Sequence, residues 1–515
     1  MPPGRWTQAP TPPAPAGPSD PAALPTADAS APPSTPRHAV RRAGGTPRRL
    51  GPRALALPVG VVGVVAGCLL AWRDALRSGV VDDTFWHRAA GVWMLDHHRV
   101  ITHDVFSYTV AGRSWISPEW GYDVVLAQSV RSVGPVAFWL LSAGLASLTV
   151  LTVAVRSRLV GAGWTWTGLL CVEVGAAVTL FLDDRPQMFS YFFLALLLLL
   201  LTLARTRRAW LWPVPVLFVL WANLHGSFLL GLGVLLLEVV AAWLAKGWGR
   251  LSIEPLGRTP IALTFVLSGA ATLVNPFGTG VYASALGVTF NTTVRALVTE
   301  WQSPDFHDLG ILAVVVVPLV VTGAYVVLAR GSLPAVELVL AAFLLVSSLE
   351  AERFIPYFAV AWCALAARCS PIGEERLRPS LLVWPLTALL GLSMLQGPWY
   401  PAGQPAPSVP VAAVAYLSHH PGRIFSTYLW NDYLDWAGRR VFVDGRTELY
   451  TDDGVLARYL AIDELSVDPD PVLRAYHVAY VLWPPDQALS IYLGHDRRWR
   501  TAWRSRTAVV FRAVR

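Results

Sequence analysis

The sequence predicts an all-α polytopic membrane protein with about 11 transmembrane helices, followed by a small C-terminal α/β domain outside the membrane. Hydrophobic residues make up 54% of the 515 residues and charged residues only 15%, and the mean hydropathy is +0.46. This balance is far from that of a soluble domain. The apolar residues also come in runs long enough to cross a hydrocarbon layer of about 30 Å, which takes roughly 20 residues of helix.

Three regions of different composition predict the domain boundaries. Residues 1–53 are rich in Pro, Ala and Arg and have too little apolar surface to fold, so they predict a disordered tail. Residues 54–397 hold the apolar runs, and the less apolar residues 398–515 predict the C-terminal domain. The predicted spans are 54–72, 133–155, 162–182, 187–204, 209–224, 227–245, 260–275, 309–329, 333–349, 354–368 and 380–397.

The basic residues between spans predict the topology. Every even-numbered connection carries Lys or Arg, which the positive-inside rule assigns to the cytoplasm. These residues are Arg156 and Arg158, Arg205, Arg207 and Arg208, Lys246 and Arg250, Arg330, and finally Arg368, Arg376 and Arg378. The N-terminus is therefore predicted to be cytoplasmic and the C-terminal domain extracytoplasmic, in a multi-pass protein of the cell membrane.

The first outer loop, residues 73–132, is long and strongly patterned. Asp82 and Asp83 follow the first span, and apolar residues then recur at helical spacing, which predicts an amphipathic helix in the membrane interface. We interpret Trp86 and Trp93 on this helix as interfacial anchors. The adjacent carboxylates are either solvated at the boundary or supply a general base or a ligand for a divalent cation.

The second outer connection is a short turn that contains Asp183, Asp184 and Arg185 between two apolar walls. Charges at the edge of the hydrocarbon are costly unless they are paired or hydrated, so this cluster is a candidate functional site. The alternative is a hydrated turn in which the charges mark the helix ends.

Other polar residues fall at the same predicted level of the membrane. They are His225 in WANLHGSF, Glu300 in TEWQSPDFHD, and Glu352 and Arg353 in SLEAERFIPYF. Each residue taken alone is typical of a cap, a snorkelling group or, for His225, a structural hydrogen-bond partner. Because all of them fall on the outer side, together they predict a polar cavity that opens outward from the bilayer.

Several motifs together resemble the GT-C superfamily of glycosyltransferases, whose members include the protein O-mannosyltransferases and the lipid A aminoarabinose transferase. The motifs are DDTFWH, HDVFSYTVAGRSW, DRPQMFSYFF, LWANLHGSFLLG, LVNPFG, TEWQSP and VFVDGRTELY, and they cover the chain from Asp82 to Tyr450. They are also similar to a largely uncharacterised bacterial subgroup. The resemblance implies a GT-C-like fold and a role in a bacterial cell envelope.

The resemblance implies transfer of a sugar from a polyprenyl-phosphate donor to an extracytoplasmic acceptor, which is a glycan, a lipid or a protein. The catalytic base would be Asp83 or Asp82, of which Asp83 is favoured because it heads DTFWH, and His225 would assist. Arg185 and Arg353 would hold the lipid phosphate, since a guanidinium offers forked donors.

The remaining acidic residues are expected to bind substrate. Asp183 or Asp184 would bind either the acceptor or a divalent cation, but no complete set of metal ligands is recognisable, so the cofactor stays open. Glu300 and Glu352 are expected to contact substrate at the same level of the membrane.

The C-terminal region predicts short strands at 440–443, 477–482 and 508–511 and helices at 411–417 and 455–460. In VFVDGRTELY, Asp444 and Arg446 either face the active cavity or form a salt-bridged turn. No Gly-rich phosphate loop is present in the sequence, which disfavours a nucleotide sugar as donor, and nucleic acid is not an expected partner.

Two other functions are compatible with these patterns. A transporter or flippase of lipid-linked glycans also needs many spans and buried charges, but its polar residues are expected near the middle of the membrane. A non-catalytic scaffold of envelope assembly would keep the fold without the reaction.

Overall fold

The structure is a computed structural model that describes residues 52–81, 83–244, 251–328, 333–369 and 399–514. Its apolar part is built from helices. They are α1 (Pro52–Ala75), α2 (Thr84–His97), α3 (Trp120–Val133), α4 (Val136–Trp139), α5 (Leu145–Leu159), α6 (Trp164–Thr179), α7 (Gln187–Ala204), α8 (Pro213–Leu224), α9 (Phe228–Leu244), α10 (Arg258–Ala271), α11 (Gly280–Phe290), α12 (Thr292–Leu297), α13 (Leu309–Leu328), α14 (Ala335–Glu350) and α15 (Ile355–Arg368).

Every predicted span before 380–397 coincides with one of these helices, and α4 and α5 form one continuous helix through a π-helical turn at Leu140–Gly144. The predicted span 380–397, most of the tail 1–53 and Asp82 lie outside the described residues. Two described helices, Val136–Leu159 and Gln187–Ala204, are long and apolar enough to cross a membrane. The number of spans therefore stays a prediction.

Glycines allow the first helix to pack closely on α6. A Cβ atom at Gly63 would lie 2.6 Å from the Cα of Gly168. Gly60 on α1 makes a similarly close approach to the backbone of Trp164. Small residues that let two helix backbones meet are typical of helix pairs in membranes.

The predicted interfacial helix is present as α2, but its environment differs from the prediction. Trp86 is only 6% exposed and packs with Trp115, Phe442 and Tyr450 in a core shared with the C-terminal part of the chain. The interpretation of Trp86 as a membrane anchor is therefore wrong, because its ring is covered by protein. Helical spacing identifies the buried face but not what covers it.

The chain beyond Trp399, here called the C-terminal segment (399–514), carries a four-stranded sheet. Its strands are β3 (Arg423–Ser426), β4 (Val478–Trp483), β5 (Trp499–Arg504) and β6 (Val509–Ala513), after two short strands β1 (Leu251–Ser252) and β2 (Leu333–Pro334) in the apolar part. The order is β3-β4-β6-β5, with β3 parallel to β4 and the other pairs antiparallel. The helices are α16 (Val411–Ser418), α17 (Tyr428–Trp436), α18 (Val455–Asp463), α19 (Pro469–Ala475) and α20 (Ala488–His495).

The strand predicted at 440–443 is wrong. These residues form one isolated bridge, in which Val441 pairs with Ser107 of the first loop. Nearby, the Tyr108 hydroxyl donates to the carbonyl of Ile424 at 2.8 Å, and Thr109 donates to the carbonyl of Phe442 at 2.6 Å. The first loop therefore docks on the C-terminal segment and brings the VFVDGR motif beside α2.

Candidate functional site

A cavity of about 160 Å³ lies where the first loop, the helix ends and the C-terminal segment meet. Most of the predicted site residues line it, although they come from distant parts of the sequence. Its titratable lining residues are Asp83, His87, Glu119, Arg185, His225, Glu300, Arg353, Arg446 and Glu448. The apolar lining residues include Val288, Val294 and Val298 around α11 and α12, a region for which no helix was predicted.

Arg185 lies at the centre of the charged residues. Its Nη1 donates to Asp83 Oδ2 at 3.1 Å, its Nη2 donates to Asp183 Oδ2 at 2.5 Å, and Nη2 also bonds Glu300. Its Nε donates to Asp183 at 3.1 Å. The predicted cluster in the 183–185 turn is thus joined to the first loop and to the loop before α13.

Asp83 is held from two sides. Besides the bond from Arg185, its Oδ1 accepts from the indole Nε1 of Trp86 at 3.3 Å. Burial raises the pKa of Asp83, the positive charge of Arg185 opposes this effect, and the negative charge of Glu300 adds to it. A carboxylate with one partner on each oxygen keeps lone pairs for a further hydrogen bond.

Arg353 also lines the cavity, but its partners are different. Its guanidinium lies over the ring of Trp301 at 4.4 Å, and within the described ranges no carboxylate is within ion-pair distance of it. Its donors are therefore available to an anion. Glu352 is not among the residues that line this cavity.

Asp184 is not among the carboxylates that bind Arg185. Its backbone carbonyl accepts from the hydroxyls of Tyr122 and Thr84, the latter at 3.1 Å, which fixes the turn against α2 and α3. Its side chain lines a second cavity of about 320 Å³, together with Asp74 and Asp183. Burial raises the pKa of Asp184 to about 7. Both acidic residues of the turn therefore line this second cavity, and only Asp183 also binds Arg185.

His225 caps the end of α8, and its tautomer follows from its bonds. The backbone N–H of Ser227 donates to Nδ1 at 3.2 Å, so Nδ1 is an acceptor and the proton of the neutral ring is on Nε2. The hydroxyl of Ser190 also contacts Nδ1 at 2.8 Å. Burial lowers the pKa of His225 to about 3, which keeps the ring neutral. Its Nε2 lies 3.6 Å from Glu119 Oε1.

Glu119 is a site residue that the sequence reasoning missed. Its Oε2 lies 3.8 Å from His87 Nε2, and the Nδ1 of His87 contacts the buried carboxylate of Asp123 at 2.6 Å. Burial, followed by the negative charges of Asp83 and Glu448, raises the pKa of Glu119 to about 8. The only signal in the sequence was a carboxylate within the patterned segment ISPEWGYD, four residues from Asp123 at the start of a helix.

These residues do not fit a divalent cation as they are arranged. Asp83, Asp183 and Glu300 converge, but on the guanidinium of Arg185. Across the described parts of the chain, no group of three or more His, Cys, Asp or Glu side chains is placed to hold a metal ion.

Solved structures with a similar fold are glycosyltransferases. The archaeal oligosaccharyltransferase AglB from Archaeoglobus fulgidus, in complex with an inhibitory peptide and a dolichol-phosphate, aligns with a TM-score of 0.58 and 14% identity over 84% of this chain and 69% of that chain. ArnT from Cupriavidus metallidurans, bound to undecaprenyl phosphate, aligns with a TM-score of 0.51 and 13% identity over 88% of this chain and 97% of that chain.

A further structure of the Archaeoglobus fulgidus oligosaccharyltransferase, a complex with Zn and sulfate, aligns with a TM-score of 0.51 and 15% identity over 83% of this chain and 68% of that chain. No protein-family model matches the chain, and no curated protein matches it. The structural neighbours confirm the GT-C resemblance, and the chain has the fold of the polytopic membrane GT-C glycosyltransferases.

Proposed function

We propose that this protein is a membrane glycosyltransferase that transfers a sugar from a polyprenyl-phosphate donor to an acceptor hydroxyl on the extracytoplasmic face. The observation that carries the proposal is that the carboxylate of Asp83 and the guanidinium of Arg353 line one cavity. A transferase of this kind needs a base for the acceptor and a cation for the departing phosphate, and both groups are present.

Asp83 is the proposed base. The acceptor oxygen attacks the anomeric carbon, the new carbon–oxygen bond forms as the bond to the phosphate oxygen breaks, and the hydroxyl proton moves to Asp83. The bonds from Arg185 and Trp86 fix the direction of the carboxylate. Burial raises the pKa of Asp83, which makes the carboxylate a better proton acceptor once it is ionised.

Arg353 is the proposed phosphate ligand. Arg185 already binds three carboxylates, whereas Arg353 contacts the face of Trp301 and leaves its donors to the cavity. The forked donors of a guanidinium suit a phosphate. The leaving group in this scheme is the lipid phosphate, which departs as an anion and is stabilised by this charge.

The apolar wall of the cavity supports a lipid-linked donor. Val288, Val294 and Val298 line the same cavity as the charged residues, and Phe290 at the end of α11 is 71% exposed. In our proposal the prenyl chain lies along this wall while the phosphate reaches Arg353. The structures of AglB with a dolichol-phosphate and of ArnT with undecaprenyl phosphate are consistent with this class of donor.

The test is transfer of radiolabelled sugar from a panel of polyprenyl-phosphate sugars in membranes that contain the protein. We expect transfer by the intact protein and by Asp96→Asn, a control on the same helix α2 whose carboxylate is 55% exposed. We expect loss of transfer by Asp83→Asn, with binding of the polyprenyl phosphate retained.

The outcome separates the proposed enzyme from the other two functions. A flippase would move the lipid-linked sugar across the bilayer of proteoliposomes without transferring it. A scaffold would show neither activity, and Asp83→Asn would have no effect. Either result, obtained with folded protein and a range of acceptors, would overturn the proposal.

A further inference from the structure

The contacts of Arg185 raise the question of what neutralises the carboxylates of this site. All three guanidinium nitrogens donate to carboxylates, and the three acceptors are Asp83, Asp183 and Glu300. The side chain of Arg185 is 17% exposed, and those of the acceptors are between 21% and 30% exposed. The guanidinium therefore makes four hydrogen bonds to carboxylate oxygens.

The three carboxylates come from different parts of the fold. Asp83 precedes α2, Asp183 follows α6, and Glu300 lies in the loop before α13. Carboxylates brought together in this way normally repel each other and need a cation between them. A divalent ion with oxygen ligands is one solution, and a guanidinium with forked donors is another.

The observed contacts favour the guanidinium. Each of the three carboxylates accepts a hydrogen bond from Arg185. Arg185 itself belongs to the same turn as Asp183. An arginine stays protonated throughout the working range of proteins, so its charge does not depend on pH or on the supply of an ion. Its N–H groups also form directional hydrogen bonds, whereas the attraction of a spherical ion has no preferred direction.

We propose that Arg185 is the permanent counter-cation of Asp83, Asp183 and Glu300 and takes the place of a divalent ion in this site. One consequence rests on the proposed function: the glycosyl transfer requires no metal ion. Arg185 is then a positioning residue: it holds Asp83 toward the cavity and leaves phosphate binding to Arg353.

The inference gives a measurement that needs neither donor nor acceptor. Binding of Mn²⁺ to the purified full-length protein in detergent micelles is measured by electron paramagnetic resonance and by calorimetry. The wild type and Arg185→Lys, which keeps the charge, are expected to bind no Mn²⁺ at this site. Arg185→Ala and Arg185→Gln, which leave the three carboxylates without a cation, are expected to gain Mn²⁺ binding at this site.

Two controls locate the bound ion. Adding Asp183→Asn to Arg185→Ala is expected to abolish the new Mn²⁺ binding. Arg353→Ala, which removes a neighbouring arginine that makes no contact with Asp183, is expected to gain none. Thermal unfolding in micelles checks that each variant is folded. If Arg185→Ala does not fold, Arg185→Gln is used in its place.

The contrary results are equally clear. Mn²⁺ binding by the wild-type protein that is lost in Asp183→Asn would overturn the inference, and so would folded Arg185→Ala and Arg185→Gln that bind none. If transfer is detected, it should be unchanged in EDTA, and a loss of transfer that Mn²⁺ restores would also overturn it. Because Mn²⁺ binding is measured without substrate, failure of the proposed transferase activity would leave this result interpretable.

Discussion

The backbone of Gly445 lies directly against the carboxylate of Asp83. A Cβ atom at position 445 would overlap with Oδ1 of Asp83 and lie 2.8 Å from the indole nitrogen of Trp86. The amide of Gly445 is fixed in turn, because it donates to Asp432 Oδ1 at 2.8 Å. The C-terminal segment thus forms part of the wall that positions the proposed base.

We expect Gly445→Ala to reduce sugar transfer strongly while the protein stays folded. The added methyl group must displace Asp83 or Trp86, and Asp83 is held by Arg185 on its other oxygen. A small displacement of a catalytic group is enough to reduce the rate by about 100-fold. The measurement is the initial rate of transfer at saturating donor, together with the melting temperature in micelles.

The matched control is Gly494→Ala, since a Cβ atom there would meet nothing within 4 Å and the residue lies in α20. This variant should transfer sugar as the wild type does. Equal rates for Gly445→Ala and the wild type would show that the C-terminal segment does not position Asp83.

Arg353→Ala should weaken binding of the lipid phosphate without destabilising the protein. The substitution removes the contact of the guanidinium with Trp301, but it breaks no ion pair with any described carboxylate. A hydrogen bond to a charged group contributes about 1.5–3 kcal/mol, which corresponds to roughly a tenfold to hundredfold rise in Kd. The measurement is binding of polyprenyl phosphate to the purified protein by calorimetry.

Arg353→Lys separates charge from geometry. It should restore part of the affinity, because an ammonium keeps the charge but lacks the forked donors. Unchanged affinity in Arg353→Ala would assign the phosphate to another cation of the cavity.

Much of this site was visible in the sequence because membrane-edge charges are rare and costly. Asp83, Arg185, His225, Glu300 and Arg353 line the cavity, as predicted from their common level in the predicted topology. The side chains that these residues contact were not predictable, because hydrophobic periodicity indicates burial but does not identify which charged residues pair with each other. The contacts of Arg185 with three carboxylates, for example, were not expected.

Elsewhere the sequence signals were weaker for physical reasons. Helices α11 and α12 are short, so no apolar run of span length marks them. Residues 440–443 have the composition of a strand, but their hydrogen bonds go to the first loop. Glu119 looks like an ordinary loop carboxylate until the fold brings two histidines beside it.

Glu119 is expected to make stability depend on pH. Burial beside Asp83 and Glu448 raises its pKa to about 8, whereas a glutamate of the unfolded chain titrates near 4.3. The folded protein therefore holds this proton more tightly than the unfolded chain does. The resulting stabilisation is fully present below about pH 4.3 and is lost as the pH rises to about 8.

Glu119→Gln tests this expectation, because its amide resembles the protonated acid and does not titrate. The melting temperature of the variant minus that of the wild type should increase from pH 5 to pH 8 and then level off, whatever other groups titrate in both proteins. A difference that is constant over this range would mean that Glu119 is already ionised in the folded protein at low pH.

Arg446 should contribute strongly to stability, because it joins the first loop to the C-terminal segment. The side chain is 1% exposed and donates to Asp104 at 2.6 Å and to Asp444 at 2.5 Å, and both of these carboxylates are fully buried. Arg446→Ala would leave them without a counter-charge, which typically costs about 3–5 kcal/mol.

Arg131→Ala, the control, breaks an exposed pair with Asp96 that is worth about 1 kcal/mol or less. Thermal unfolding followed by tryptophan fluorescence should show a large loss of stability for Arg446→Ala and almost none for the control. Similar losses in both would indicate that the two segments are held together by contacts other than the ion pairs of Arg446.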